Sequence, residues 1–130
     1  MLHLLDTSVC VSLIRGHSTL KSMLRTDECV ISVITAAELE VGVRRSNRPT
    51  EQRLAVEGLL QLFGVLPLDL SAVRDYGDIR DALEKKGTPI GPLDTLIAAH
   101  ARSLGATLIT ANVQEFKRVP GLKCLAWQRQ

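Results

Sequence analysis

Residues 1–10, MLHLLDTSVC, decide how the rest of the chain is read: an apolar run from Leu2 to Leu5 ends at an acid, Asp6, and a helical pattern begins directly behind it. A short buried strand that feeds straight into a helix is the unit from which parallel α/β sheets are built. The acid at the joint is either a helix cap or a piece of chemistry. One acid does not decide between them, so the question is whether others converge on it.

Working outward, the same step recurs. Thr7 to Ile14 reads as a helix closed by Arg15 and Gly16. Cys29 to Ser32 reads as a second strand, leading into a helix over VITAAELEVGVRR that ends before the turn at Asn47 and Pro49. Glu51 to Phe63 behind Thr50, and Ala72 to Lys86 behind Ser71, read as helices with Val65 to Leu68 a strand between them, and Gly87 stops the second. Pro92 suits a first helical turn, and Leu93, Leu96, Ile97, His100, Ala101 and Leu104 recur on one face of a helix that Gly105 ends. Ala106 to Thr110 is a β-branched apolar strand, ANVQEF a loop or helical turn, and Lys123 to Ala126 a last edge strand. Alternation of this kind calls for right-handed crossovers and a short, mainly parallel central sheet covered by helices on both sides. The expected class is α/β.

The composition agrees. A chain of 130 residues, 45% hydrophobic and 23% charged, is the size of one domain, buries about two thirds of its unfolded surface and has none of the low-hydrophobicity signature of disorder. Residues 1–130 are therefore expected to form a single domain. The net charge of +2 favours a polyanionic partner only slightly, and local clusters matter more. Cys10, Cys29 and Cys124 form no CxxC pair, which fits free thiols in a reducing compartment. No signal-like segment and no bilayer-length apolar run occurs, so the expected location is the cytoplasm.

In open parallel sheets, functional groups collect where strand carboxyl ends meet the following helices. Asp6 follows the first strand, Glu38 lies early in the helix after the second, Asp94 opens the Pro92 helix, and Asn112 and Glu115 follow the strand that ends at Thr110. Each also has an ordinary explanation. Asp6 can cap its helix, Thr35 and Glu38 match a capping box, and Asp94 suits a helix N-terminus. Together, however, carboxylates at one sheet end repel unless a cation lies among them. Mg²⁺ or Mn²⁺ takes such oxygen ligands and can activate water for attack on a phosphodiester.

These residues resemble the PIN-domain ribonucleases, and in particular the VapC toxins of type II VapBC toxin–antitoxin modules. The resemblance is carried by LLDTS at 4 to 8, ISVITAAELEVG at 31 to 42, GTPIGPLDTLIAAHA at 87 to 101 and TLITANVQEFKRVPGL at 107 to 122, nearly the whole chain. It implies a PIN-like fold and a toxin that cuts structured RNA, tRNA or rRNA, and so inhibits translation until its VapB-type antitoxin neutralises it. It implies Asp6, Glu38 and Asp94 as ligands of Mg²⁺ or Mn²⁺, with Thr7 and Thr110 supporting them. At the fourth acidic position the chain departs from the family's aspartate. Asn112 supplies only a neutral oxygen, and Glu115, beside Phe116, is the acid able to join the catalytic set. A homodimer is also implied, as is contact between the antitoxin and the helix Glu51 to Phe63 with its neighbours.

Other readings are narrowed by the same residues. A dehalogenase-type phosphatase wants a second acid two residues beyond the first, where this chain has Ser8. A receiver domain wants an adjacent acidic pair, and a P-loop enzyme wants a glycine-lysine loop that is missing. Ser8, Ser12 and the cysteines have no paired base, and His3, His17 and His100 show no relay spacing. Lys117 and Arg118, behind the fourth acid segment, are the expected RNA contacts, whereas Lys85 and Lys86 fit a solvated helix end. Scarce aromatics disfavour a stacking platform for single strands. The remaining alternative is a non-catalytic PIN-like module that only binds a partner.

Overall fold

The computed structural model describes residues 1–16 and 24–127; His17 lies outside the described residues. The elements run β1 (His3–Leu5), α1 (Thr7–Ile14), β2 (Cys29–Ser32), α2 (Val33–Arg44), α3 (Pro49–Phe63), β3 (Val65–Leu66), α4 (Leu70–Lys85), α5 (Pro92–Ser103), β4 (Thr107–Thr110), α6 (Val113–Phe116) and β5 (Lys123–Ala126), with one 3₁₀ turn at Thr26–Glu28. The five strands form one sheet in the order β3-β2-β1-β4-β5, and every pairing is parallel. The α/β class is as expected, and the sheet is more uniform than expected, since no strand in it is antiparallel.

The chain moves from β1 outward through β2 to β3, then returns to the other side of β1 for β4 and β5. The reversal in strand order therefore lies between β1 and β4, which pair His3 with Thr107 and Leu5 with Ile109. Crevices form at such switch points because the helices following the two central strands leave in opposite directions. Asp6 and Thr110, the residues at the carboxyl ends of these strands, are thereby placed at the switch point.

Alternation along the strands divides the core into two layers. Leu5 and Ile109 pack on one side with Val9, Leu39, Val43, Val56, Leu59 and Phe63, while Leu4 and Leu108 pack on the other with Ile79, Leu83, Ile97 and Phe116. Leu4, Leu5 and Leu108 are fully buried, and burying each such side chain contributes about 1.5–3 kcal/mol. Three-residue β1 can be central because both of its faces are covered.

The helix starts correct several sequence expectations. Helix α3 starts at Pro49 behind Arg48, so Thr50 does not cap it; proline's fixed φ and missing N–H suit the first helical position. Helix α4 starts at Leu70, with the Asp69 side chain accepting from Ala72 N–H, so Ser71 is not its cap. The β3 strand stops at Leu66 rather than Leu68. On α5, Leu93 and Leu104 lie exposed, and Ile97, Ala98, Ala99, His100 and Ala101 form the buried surface. The chain breaks out of α4 and α5 at Gly87 (φ 70°) and Gly105 (φ 64°), in the left-handed region that only glycine enters without a Cβ penalty.

Between α4 and α5, the Arg102 guanidinium bonds Asp75 and Asp78 at 2.7 Å each and the Pro120 carbonyl at 2.9 Å, linking both helices to the loop before β5. Among the described residues the cysteines are free, with Cys10 and Cys29 buried and Cys124 half-buried. No helix among them is long and apolar enough to cross a membrane.

Candidate active site

Asp6 is both a helix cap and, at the end of β1, a residue of the strand-order switch point. Its Oδ1 accepts from Val9 N–H at 3.0 Å, capping α1, and from the Ser8 hydroxyl at 2.6 Å. Its Oδ2 accepts from the Thr110 hydroxyl. With only 3% of its surface exposed, the carboxyl is pushed above the usual aspartate range by burial, which outweighs the bonds from Ser8, Thr110 and Val9 that pull it down.

The same two hydroxyls hold the next loop. Ser8 Oγ accepts from Ala111 N–H at 3.1 Å, and Thr110 Oγ1 accepts from Asn112 N–H at 2.9 Å. The turn after β4 is thus keyed to Asp6 through two side chains. Thr110 was expected in a supporting place; Ser8 was not. The available sign was a hydroxyl two residues beyond a helix-capping acid, a spacing that lets it reach back to the cap.

Glu38 is not part of a capping box. The cap of α2 is Ser32, whose Oγ accepts from Ile34 N–H at 3.1 Å. Thr35 is instead buried inside the first turn. Glu38 is left free to turn toward α1, where its Oε1 accepts from the Thr7 hydroxyl at 2.7 Å; that hydroxyl lies 3.1 Å from Thr35 Oγ1.

Asp94, in the first turn of α5, carries the clearest electrostatic record of convergence. Its carboxyl is pushed up to about 7 by burial, then by the charge of Glu115 and a side-chain hydrogen bond with it, then by the charges of Glu38 and Asp6. A hydrogen bond between two carboxyls requires a proton between them. Four acids from four segments therefore feel one another at this sheet end.

Other expected residues lie nearby or point elsewhere. Asn112 is exposed immediately ahead of α6, and Glu115 is half-buried within it. Lys117 and Arg118 follow α6 and are exposed. Arg118 Nη1 reaches the Pro89 carbonyl at 3.5 Å, so that side chain leans across the loop preceding α5. His100 is buried in α5, with Nδ1 at 2.8 Å from Ser32 Oγ.

Among the described residues, no three His, Cys, Asp or Glu side chains lie close enough together to hold an ion. The donors nevertheless fit a hard divalent cation by their chemistry: all are oxygens, and burial, together with the charges of Glu115, Glu38 and Asp6, favours a proton on Asp94 that a cation would displace.

A five-stranded parallel sheet with acids gathered at its strand-order reversal defines a class, and comparison with known proteins identifies it. Residues 3–122 match the PIN domain, and the chain belongs to the PIN-domain family. Within that family it resembles VapC proteins over nearly its whole length. It is 39% identical over 127 residues to the tRNA(fMet)-specific endonuclease VapC of Salmonella typhimurium, covering 95% of this chain and 96% of the relative. It is 34% identical to Ribonuclease VapC2 of Rickettsia felis, covering 99% of this chain and all of the relative. Among solved structures, the DNA-bound VapBC of Salmonella typhimurium superposes with a TM-score of 0.92 at 39% identity, covering 98% of this chain and 100% of that one. VapBC-1 of nontypeable Haemophilus influenzae superposes with a TM-score of 0.86 at 35% identity, covering 98% of each.

Proposed function

We propose that residues 1–130 form a single PIN-like domain that acts as the toxin of a type II toxin–antitoxin module, an endoribonuclease that hydrolyses phosphodiester bonds in tRNA or rRNA with Mg²⁺ or Mn²⁺. The observation that carries this reading is the convergence of Asp6, Glu38 and Glu115 on Asp94. The VapC relatives, named as nucleases, support the reaction class.

Asp6, Glu38 and Asp94 would hold the ion, with Glu115 as the fourth acid. Bound there, the ion supplies Lewis-acid activation of water and neutralises charge on the phosphate. The chain's own residues do the rest. Ser8 and Thr110 orient both oxygens of Asp6, Thr7 orients Glu38, and the Asp94 carboxyl gives up its proton when a cation enters. Lys117 and Arg118, both exposed beyond Glu115, would meet backbone phosphates.

The partner we assign is a VapB-type antitoxin, as in the VapBC complexes that share this fold. A groove between α1 and α3, about 340 Å³ and lined by Leu13, Ile14, Leu54, Leu59 and Leu62, suits an apolar helix of such a partner. A homodimer working in the cytoplasm completes the reading.

A non-catalytic partner-binding module is the second reading, favoured by the neutral Asn112 at the fourth acidic position. Incubating the protein and its Asp6→Asn variant with total RNA, with Mg²⁺, with Mn²⁺ or with chelator, separates the two. Discrete fragments that require both metal and Asp6 are expected. Intact RNA in every lane, with no ion binding, leaves the partner-binding module.

A further inference from the structure

Residues 44–53 hold four arginines, Arg44, Arg45, Arg48 and Arg53, against one acid, Glu51, whereas the whole chain carries a net charge of only +2. The rest of the chain is slightly acidic in sum, so the positive charge of the molecule is gathered here. Helix α2 ends within this stretch and α3 begins in it, which brings the arginines together around the turn between the two helices.

The neighbouring acids do not cancel the cluster. Arg44 and Arg53 share a single carboxylate, Glu40, at 2.9 Å and 2.7 Å. One positive charge is left over, and both guanidiniums are held beside an open hollow of about 430 Å³ lined also by Val43, Pro49 and Leu54. Arg48 meets Glu51 at 3.4 Å with both side chains largely exposed, and an exposed pair of this kind is weak and parts for a stronger anion. Arg45 is exposed, and no acid among the described residues pairs with it.

The cluster also has a direction. Arg45, the C-terminal cap of α2, lies seven residues beyond Glu38, so the two fall on one face of the helix about 10 Å apart along its axis. Gly42 lies between them on that face, and a Cβ there would meet nothing within 4 Å. The surface from the acid to the unpaired arginine is open to solvent.

We infer that Arg45, with Arg44 and Arg48 beside it, forms a binding surface for the phosphate backbone of RNA that continues along α2 from Glu38. A guanidinium presents a planar fork that fits two phosphate oxygens at once, and the apolar Pro49 and Leu54 beside the arginines suit the ribose faces between phosphates. The inference rests on the nuclease reading proposed above, under which a strand passes Glu38, and it requires no ion to be in place. That passage is what favours RNA over an acidic polypeptide as the occupant.

The test measures binding of fluorescein-labelled mixed tRNA to the full-length protein in chelator, by anisotropy over a range of salt concentrations. The proteins are the parent, Arg45→Gln/Arg48→Gln, Arg45→Lys/Arg48→Lys and Lys85→Gln/Lys86→Gln, with thermal midpoints recorded to establish that each is folded. The two glutamine doubles remove the same charge, one from the turn and one from the solvated end of α4. Arg45→Gln/Arg48→Gln is expected to lose tRNA affinity on the order of tenfold at low salt, with the slope of log K against log salt smaller by about 1 to 2. The lysine double, which keeps the charge but not the fork, should retain part of the affinity, and Lys85→Gln/Lys86→Gln should stay near the parent. Unchanged affinity and slope in Arg45→Gln/Arg48→Gln, or equal losses in the two glutamine doubles, overturn the inference. Loss of poly-L-glutamate binding with tRNA binding kept overturns it too and assigns the turn to an acidic polypeptide. Cleavage of total RNA under Mn²⁺ is scored separately. A parent that binds tRNA through these arginines and cuts no RNA overturns the nuclease reading and leaves an RNA-binding surface, whereas a parent that cuts RNA while Arg45→Gln/Arg48→Gln binds as the parent does overturns the surface and leaves the nuclease.

Discussion

The Thr7 hydroxyl donates to Glu38 Oε1 at 2.7 Å, so the first residue of α1 holds an acid that lies 31 positions further along the chain. Asp6 and Thr7, adjacent in sequence, thus serve two different neighbours: Asp6 is held by Ser8 and Thr110, and Thr7 holds Glu38.

Replacing Thr7 by valine keeps the β-branched shape and removes the donor. Thr7→Val is expected to cost about 1 kcal/mol in denaturant unfolding, the usual net value of such a bond, and to slow RNA cleavage about tenfold. Thr7→Ser keeps the donor and should stay near the parent in both measurements.

The Asp94 carboxyl, raised from 3.8 to about 7, makes the metal-free protein sensitive to alkali. The folded state keeps a proton on Asp94 between pH ~4 and ~7 that the unfolded chain has already lost, so this group's contribution to stability falls as pH rises through that window. Asp94→Asn is therefore expected to stabilise the metal-free protein at pH 8 by about 1–2 kcal/mol, after allowance for solvent screening at a half-exposed site. Adding Mn²⁺ to the parent should give a comparable gain and to Asp94→Asn much less, both read as shifts in thermal midpoint.

Asn112, at the fourth position of the proposed site, carries no charge. Asn112→Asp is expected to tighten Mn²⁺ binding severalfold, because carboxylate replaces a neutral amide oxygen, and to lower the stability of the metal-free protein by adding one more like charge. Calorimetric titration and thermal melts with chelator measure the two effects, which should have opposite sign.

His100 titrates in the opposite sense to Asp94. Burial holds its pKa below the ordinary imidazole value of 6.5, against the pull of the Asp69 charge and the bond to Pro67. The unfolded chain takes up the proton first, so stability is lost as pH falls below about 6.5. His100→Asn should flatten the pH dependence of the unfolding midpoint below about pH 6.5.

Leu108 lies in the centre of the sheet and is fully buried against Leu4, Ile97 and Phe116. Leu108→Ala is expected to cost about 2–5 kcal/mol in chemical unfolding through lost burial and the cavity it leaves.

Most of the architecture is readable along the chain because its cues are local. Leu2 to Leu5 is a run too short for a helix and too apolar for a surface loop, and Pro92 and Gly105 bracket α5 by fixed backbone preferences. Helix starts are less readable, since Asp69, Arg48 and Ser32 cap positions that Ser71, Thr50 and Thr35 could serve equally well on spacing alone. Where a helix begins depends on how its apolar face meets the sheet, a comparison made only in three dimensions.

Asp6, Glu38, Asp94 and Glu115 could be named from sequence because strand ends and helix starts mark where a parallel sheet places its chemistry. The class of fold and the end of the sheet at which the acids lie are legible along the chain, since these follow from hydrophobic period and backbone preference. Which hydroxyl meets which partner is visible only in three dimensions. Thr7 on Glu38, Ser8 and Thr110 on Asp6, and Ser32 on His100 are contacts a few ångströms long, and three of the four join residues separated by 31, 104 and 68 positions. A hydrogen bond depends on distances and angles set by the packing of whole elements, and no local pattern carries that information.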